Sequence, residues 1–140
     1  MRTCLRVPPG QHAAYVRGVI NRTGEVIVLH DVKPVGVSGA TVLEVFTTEV
    51  PVLSDATHLV PGSNGPWPTP EPTEWRTRTP VSGTSIDPGA DRGIVMRVRS
   101  DVEGGGFDRV EVTYAEGGQQ FHATWQHALT LDTECEVSQG

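Results

Sequence analysis

The chain has 140 residues, including 16 glycines and 11 prolines, with 36% hydrophobic residues and a formal net charge of −6. Glycine and proline exceed their usual joint share of roughly 12%, yet there is no collagen period, no heptad repeat and no apolar run of about 18 residues. Lys and Arg number 11 against 17 Asp and Glu; without a basic patch, nucleic acid is excluded as a partner and insertion into a bilayer is not expected.

The length suits a single domain, 1–140. Residues 1–11 read as an N-terminal tail. Met1 to Arg6 runs into Val7-Pro8-Pro9-Gly10 without the apolar h-region of a signal peptide. Either the protein is cytosolic, or this start follows removal of a signal or anchor segment. Ala14 to Ile20 then alternates as a first strand. Asn21-Arg22-Thr23-Gly24 supplies turn chemistry and also matches the N-glycosylation sequon. Glu25 to Val32 is apolar at nearly every position and reads as a buried strand in a hairpin with the first. Lys33-Pro34, Gly36 and Gly39 mark a break, and Ala40 to Thr48 is a third β-branched run.

Residues 51–92 differ. Eight prolines fall between Pro51 and Pro88, which excludes sheet interior and regular helix. Connections this long are usually functional or disordered. Trp67 and Trp75 favour a loop packed onto the domain.

Strands return at 93–132. Gly93 to Arg99 places Ile94, Met96 and Val98 on one face, with Arg97 and Arg99 on the other. Gly104-Gly105-Gly106 reads as a flexible turn. Phe107 to Tyr114 directs Val110, Val112 and Tyr114 inward. Glu116-Gly117-Gly118 signals a hairpin, after which Phe121, Ala123 and Trp125 share a face. Ala128 to Leu131 begins a last strand, and 133–140 is a C-terminal tail. This makes roughly seven strands without an amphipathic helix: an all-β fold, read as an immunoglobulin-like antiparallel β-sandwich with a long proline-rich crossover loop.

Cys4 and Cys135 lie near opposite ends, and chain termini are often close in compact domains. They are expected to form a disulfide closing nearly the whole chain, the competing reading being two unpaired thiols. The bridge would place the protein outside the reducing cytosol.

Chemistry-bearing patterns are sparse. His122 and His127 are the closest histidine pair, but an odd separation sends them to opposite faces of a strand. Only a turn near Gln126 would bring them together with a carboxylate, as a metal-dependent hydrolase requires. The segment after Cys135 has no His or Met, so a blue-copper site is rejected. Gly83 and Ser85 lack the strand–elbow–helix context of a serine nucleophile. Glu71, Glu74, Asp101 and Glu103 read as solvated charges, and Gly104 to Gly106 precedes a strand rather than the helix a phosphate cradle needs. No catalytic residue, metal ligand or cofactor is expected.

The aromatic residues are the stronger signal. Trp67, Trp75 and Trp125 would line an apolar groove under the long loop, with Phe46 or Tyr114 beneath, and contact a protein or small molecule. The competing reading is that the loop tryptophans seal the edge of the sandwich.

The order Cys4, Val16 to Asn21, Pro66-Trp67, Trp75-Arg76, Pro80, Gly83, Ile86 to Gly89, then Val110 to Tyr114 before a Gly-Gly hairpin resembles a group of actinobacterial proteins of unassigned activity. Their β-sandwich domain sits outside the membrane, behind a signal or a single anchor. The resemblance covers about residues 12–131 and implies an extracytoplasmic role without catalytic residues. The expectation is therefore a non-enzymatic extracytoplasmic interaction or accessory module. The alternative is a small hydrophobic ligand carrier, in the manner of acidic immunoglobulin-like chromoprotein carriers.

Overall fold

β-branched and aromatic residues on alternate positions, punctuated by glycine turns, fold as paired strands. A computed structural model describes residues 2–48 and 64–135, with Glu74 in its backbone only. Twelve strands occur among the described residues where roughly seven are expected. They are β1 (Arg2–Arg6), β2 (His12–Ile20), β3 (Ile27–Val35), β4 (Ala40–Thr48), β5 (Gly65–Pro66), β6 (Thr79–Pro80), β7 (Ser85–Ile86), β8 (Asp91–Ser100), β9 (Gly105–Phe107), β10 (Arg109–Glu116), β11 (Gln119–Trp125) and β12 (Ala128–Asp132). A single 3₁₀ turn, Thr73–Thr77, interrupts them. No described helix is long and apolar enough to cross a membrane.

The fold is an all-β sandwich. One layer is a five-stranded sheet in the order β5-β2-β8-β4-β6; opposite it lie the ladders β11-β10-β3-β7 and β1-β12-β9. Every pairing is antiparallel except β1 with β12, which is parallel and aligns Cys4 with Thr130. Ala13, Tyr15, Ile94, Met96 and Val98 of the five-stranded sheet pack against Leu29, Val32, Val110, Val112, Phe107, Leu129 and Leu131 from the facing ladders. The alternation expected for β8 and β10 holds. A bulge between Val42 and Glu44 resets β4, so that Val42 and Val45 both face this core while Leu43 is exposed.

Four expectations are corrected. The strand at 25–32 does not form a hairpin with the first: β2 pairs with β5 and β8, whereas β3 pairs with β10 and β7 in the facing layer. Residues 2–6, read as tail, form β1, and Leu5 and Val7 are buried. Two apolar positions between arginines are too few to announce a strand; a partner 126 positions along the chain, as in Arg2 with Ala128, makes it one. Pro34 does not end the second strand. It lies in β3 opposite Val110, where β7, paired only with Ile27 and Val28, has already stopped, so no ladder bond is lost on that side. Of the turn expected at Gly104 to Gly106, only Gly104, at φ 79°, is a turn residue. Gly105 and Gly106 are buried in β9, and a Cβ would collide with the Gly39 carbonyl oxygen at Gly105 and with the Leu129 carbonyl oxygen at Gly106. Glycine is there for close backbone approach, not for freedom. Asp108 then breaks the expected run from Phe107 to Tyr114, and the chain passes from one ladder to the other.

The ends are joined by a Cys4–Cys135 disulfide with a Cα–Cα distance of 5.8 Å, and no cysteine is free. Of the expected loop 51–92 and tail 133–140, residues 51–63 and 136–140 lie outside the described residues.

The turn after β2 is held by Asn21, which is fully buried. Its Nδ2 donates to the Glu25 carbonyl at 2.7 Å and the Ile86 carbonyl at 2.9 Å. Its Oδ1 accepts from the Thr23 amide at 2.9 Å and the Thr23 hydroxyl at 2.7 Å. Both amide hydrogens are thus committed to carbonyls, and Asn21 serves the turn, the role its place in Asn21-Arg22-Thr23-Gly24 suggests. Replacing Asn21 with Ala removes the donor to the buried Ile86 carbonyl, whereas the Glu25 carbonyl keeps the Thr23 hydroxyl at 3.0 Å. One unmet buried group costs about 1–3 kcal/mol, so Asn21→Ala is expected to lower stability by roughly that amount in urea unfolding; a loss under about 1 kcal/mol would contradict this role.

Candidate functional site

The five-stranded sheet is apolar on both faces. Ala13 and Ala14, and likewise Ile94 and Val95, are adjacent yet wholly buried, and neighbouring strand residues point to opposite faces. The outer face, built on Ala14, Val95 and Phe46, is covered by Trp75 and flanked by Val16 and Trp67.

The cover is residues 64–80, which cross the sheet from edge to edge like a strap. At one edge Asn64 Oδ1 accepts from the Val16 amide at 2.6 Å, Gly65 and Pro66 pair with β2, and the Trp67 amide donates to the His12 carbonyl at 2.8 Å. At the other, Thr79 and Pro80 pair with β4, and the Arg92 guanidinium donates to the hydroxyls of Thr47 at 2.8 Å and Thr79 at 2.7 Å. Between these anchors Trp75 is 1% exposed. It meets Phe46 edge-on at 5.8 Å and Trp67 at 4.9 Å between ring centroids.

Charged side chains lace this aromatic stack. Arg78 lies 4.2 Å over the Phe46 ring, donates from Nε to the Trp75 carbonyl at 2.8 Å and from Nη1 to Glu44 at 2.7 Å, and pairs with Glu71. Glu71 also accepts from Trp67 Nε1 at 3.1 Å and lies 3.9 Å from Arg97 Nη1. Arg97 sits 4.5 Å over the Trp67 ring and donates from Nε to His12 Nδ1 at 2.8 Å. A guanidinium only donates, so Nδ1 must accept, and the His12 imidazole is neutral with its proton on Nε2. Burial pushes its pKa below the ordinary 6.5, and the charges of Arg97 and Arg99 add to the effect.

Beside Trp67 the surface opens into a cleft of about 430 Å³ whose lining includes Arg6, Gln11, His12, Pro66, Trp67 and Arg97. Trp67 is half-buried, so part of the indole faces the cleft. The arrangement offers a fixed aromatic plane beside guanidinium donors, a combination suited to a carboxylate or a planar polar group.

Of the expected site residues, Trp67 and Trp75 come together over Phe46. Trp125 and Tyr114 do not join them. Both belong to the opposite layer and pack against the main core. Trp125 lies under the Arg17 guanidinium at 4.5 Å, and Tyr114 stacks on Phe121 at 5.6 Å. A groove shared by the three tryptophans is thus not formed, because the five-stranded sheet stands between them. His12, Arg97 and Arg6 were missed as site residues. His12 and Arg97 meet through the β2–β8 pairing, which sets Ala14 opposite Arg97; the sequence carries no local sign of it.

His122 and His127 have separate surroundings. His122 Nδ1 is 3.2 Å from the Thr113 hydroxyl on the exposed face. His127 Nδ1 is 3.3 Å from the Tyr15 hydroxyl, and burial, then Arg17, lowers its pKa. Among the described residues no group of three or more His, Cys, Asp or Glu side chains is placed to hold a metal. Neither protein-family models nor curated protein sequences match the chain.

Two outcomes follow. Trp75→Ala empties the space between strap and sheet and is expected to cost about 3–5 kcal/mol, the usual range for a buried Trp. Trp67→Ala, at the rim, is expected to cost roughly 1–2 kcal/mol. Equal losses in urea unfolding would contradict the assignment of Trp75 as the anchor. The second concerns pH. For His12 and His127 the folded value lies below the unfolded one, so the unfolded chain binds more protons as pH falls. Their contribution is complete above the ordinary imidazole value and is lost as pH drops through the window beneath it. The urea midpoint is expected to fall between about pH 7.5 and about pH 5.5, and a His12→Gln, His127→Gln double variant to flatten that slope. An unchanged slope would contradict it.

Proposed function

We propose that this chain is a non-enzymatic interaction module, an immunoglobulin-like sandwich working outside the cytosol, that grips a protein partner at the cleft beside Trp67. The observation carrying this reading is that Trp67 is fixed on three sides without a partner: by the His12 carbonyl at its amide, by Glu71 at Nε1 and by Arg97 over its ring. An ordered Trp flanked by Arg loses little entropy on binding, and these two residue types dominate binding energy at interfaces. Arg6 and Arg97 give this corner of an acidic protein a cationic character, which suits a partner presenting a carboxylate.

The non-enzymatic reading is supported by the way the titratable groups are engaged: His12 accepts from Arg97, and Glu71 accepts from Trp67 and Arg78. The location outside the cytosol is supported by the Cys4–Cys135 bridge, since structural disulfides persist in oxidising compartments. It is also what the resemblance to extracytoplasmic actinobacterial domains implies. The carrier alternative needs a deep apolar cavity. The cleft beside Trp67 is open and lined by Arg6, Gln11, His12 and Arg97, which favours a surface contact instead.

Site-specific photo-crosslinking in the protein's own cells tests this. A crosslinking residue at Thr69, in the cleft lining, is expected to give a discrete protein adduct, while one at Asp87 in a remote turn gives none. Arg97→Ala or Trp67→Ala should reduce the Thr69 adduct about tenfold. Absence of the adduct, or its survival in both variants, overturns the reading; saturable one-to-one uptake of an apolar dye that quenches Trp67 would support the carrier instead.

A further inference from the structure

The ladder β11-β10-β3-β7 ends at β11, and among the described residues nothing pairs with the far side of that strand. The other sheet ends are blunted. β5, β6 and β7 have two residues each. β9 has three and is bridged by Ser38 at Gly106. β1 carries Arg2 and Arg6. Short length and edge charge are the usual protections against strand addition. β11 has neither: Gln119–Trp125 is seven residues, QQFHATW, without a charged side chain or a proline.

The hairpin geometry says which backbone groups are open. Gly117 and Gly118 both have positive φ, 58° and 82°, so the two-residue turn is type I′ and Glu116–Gln119 is the closing hydrogen-bonded pair. Hydrogen-bonded and non-hydrogen-bonded pairs then alternate. Tyr114↔Phe121, Val112↔Ala123 and Val110↔Trp125 exchange bonds with β10. The N–H and C=O groups of Gln120, His122 and Thr124 point away from it.

We propose that β11 is a dimerisation edge whose occupant is β11 of a second copy, paired antiparallel about a two-fold axis at His122. That axis sets His122 opposite itself and Gln120 opposite Thr124, and makes roughly six ladder hydrogen bonds. The strand is self-complementary under this operation. No like charges face each other, because it carries none. Phe121, one of the few large hydrophobics left exposed, at 37%, comes beside Ala123 of the second copy. A seven-residue strand pair covers less than the roughly 800 Å² per partner of a standard interface, so the dimer is weak and concentration-dependent. It uses a different ladder from the cleft of Trp67 and goes beyond the function proposed above.

The test is sedimentation velocity of the intact chain from about 10 μM to about 1 mM, with amide hydrogen exchange at both ends of the range. The expected result is a reversible monomer–dimer equilibrium, with protection rising with concentration at Gln120, His122 and Thr124. His122→Lys places two ammonium groups opposite each other. His122→Pro removes an outward donor and leaves the β10 ladder intact. Either should weaken association at least about tenfold, while His30→Lys, the same change at an exposed position of β3, leaves it unchanged. A strict monomer at the highest concentration overturns the proposal. So does a dimer that survives both His122 variants, or protection appearing elsewhere. A monomer whose β11 amides are protected only by an added extended peptide also overturns it, in favour of a foreign strand.

Discussion

A sheet whose central strand is buried on both sides must be covered on both sides. β8 meets that condition at Ile94, Val95 and Met96, all 0% exposed, and much of the architecture follows from it. One face is met by the two facing ladders. The other would leave Ala14, Val95 and Phe46 in water at about 25 cal/mol per Å². The proline-rich strap meets that demand with Trp75. Proline suits such a cover because it fixes φ, so the segment gives up less conformational entropy when it is laid down. The arginines complete the cover. Arg78 and Arg97 lay apolar planes on aromatic rings while their charged edges reach Glu44, Glu71 and His12, so the lid is apolar beneath and polar above.

The same cover makes the candidate site. Trp67 lies where the strap leaves the edge of β2, half under it and half out. Its position is dictated by packing, and its exposed remainder is what a partner would meet. A device for sealing the sheet and a contact surface are therefore not competing descriptions of Trp67; the one creates the other. For Trp75 only the sealing role is available, because no surface of it remains.

The opposite layer is closed by long-range constraints of another kind. β1 exists as a strand because β12 is beside it, and the Cys4–Cys135 bridge holds the two ends in that register. In the chain-entropy picture, closing a loop of this size removes about 5 kcal/mol of denatured-state freedom. The buried Asn21 has the equivalent role for the backbone, joining the β2–β3 turn to the end of β7 and the turn after it through the Ile86 carbonyl and the backbone of Gly89 and Ala90. Gly105 and Gly106 allow two backbones to meet where a methyl would not fit.

Much of this was legible and some was not, for reasons that can be located. The β10–β11 hairpin was readable because Glu116-Gly117-Gly118 is a local turn signal and the flanking alternation has period two. The inward set of β8 was readable for the same reason, but Val95 was not, since a residue between inward neighbours looks outward until something is known to cover it. The break at Pro34 was misread because proline forbids a ladder bond only where a ladder exists, and edge status is a property of neighbours. Trp125 was grouped with the strap tryptophans by chemical type, whereas the sheet places them on opposite sides.

Alternation, turn glycines and the confinement of most prolines to one connector are local regularities, and each acts within a few residues. By itself, therefore, the sequence determined that the chain is all-β, where most strands run, and that the part of the connector bearing Trp67 and Trp75 packs on the domain. It left open what each strand lies against. The tertiary structure alone decided that β1 is a strand, that Asn21 is internal, and that His12, Arg97 and Trp67 share a corner. Those outcomes depend on contacts between residues far apart in the chain, whose energy appears only when the two layers and the strap close together.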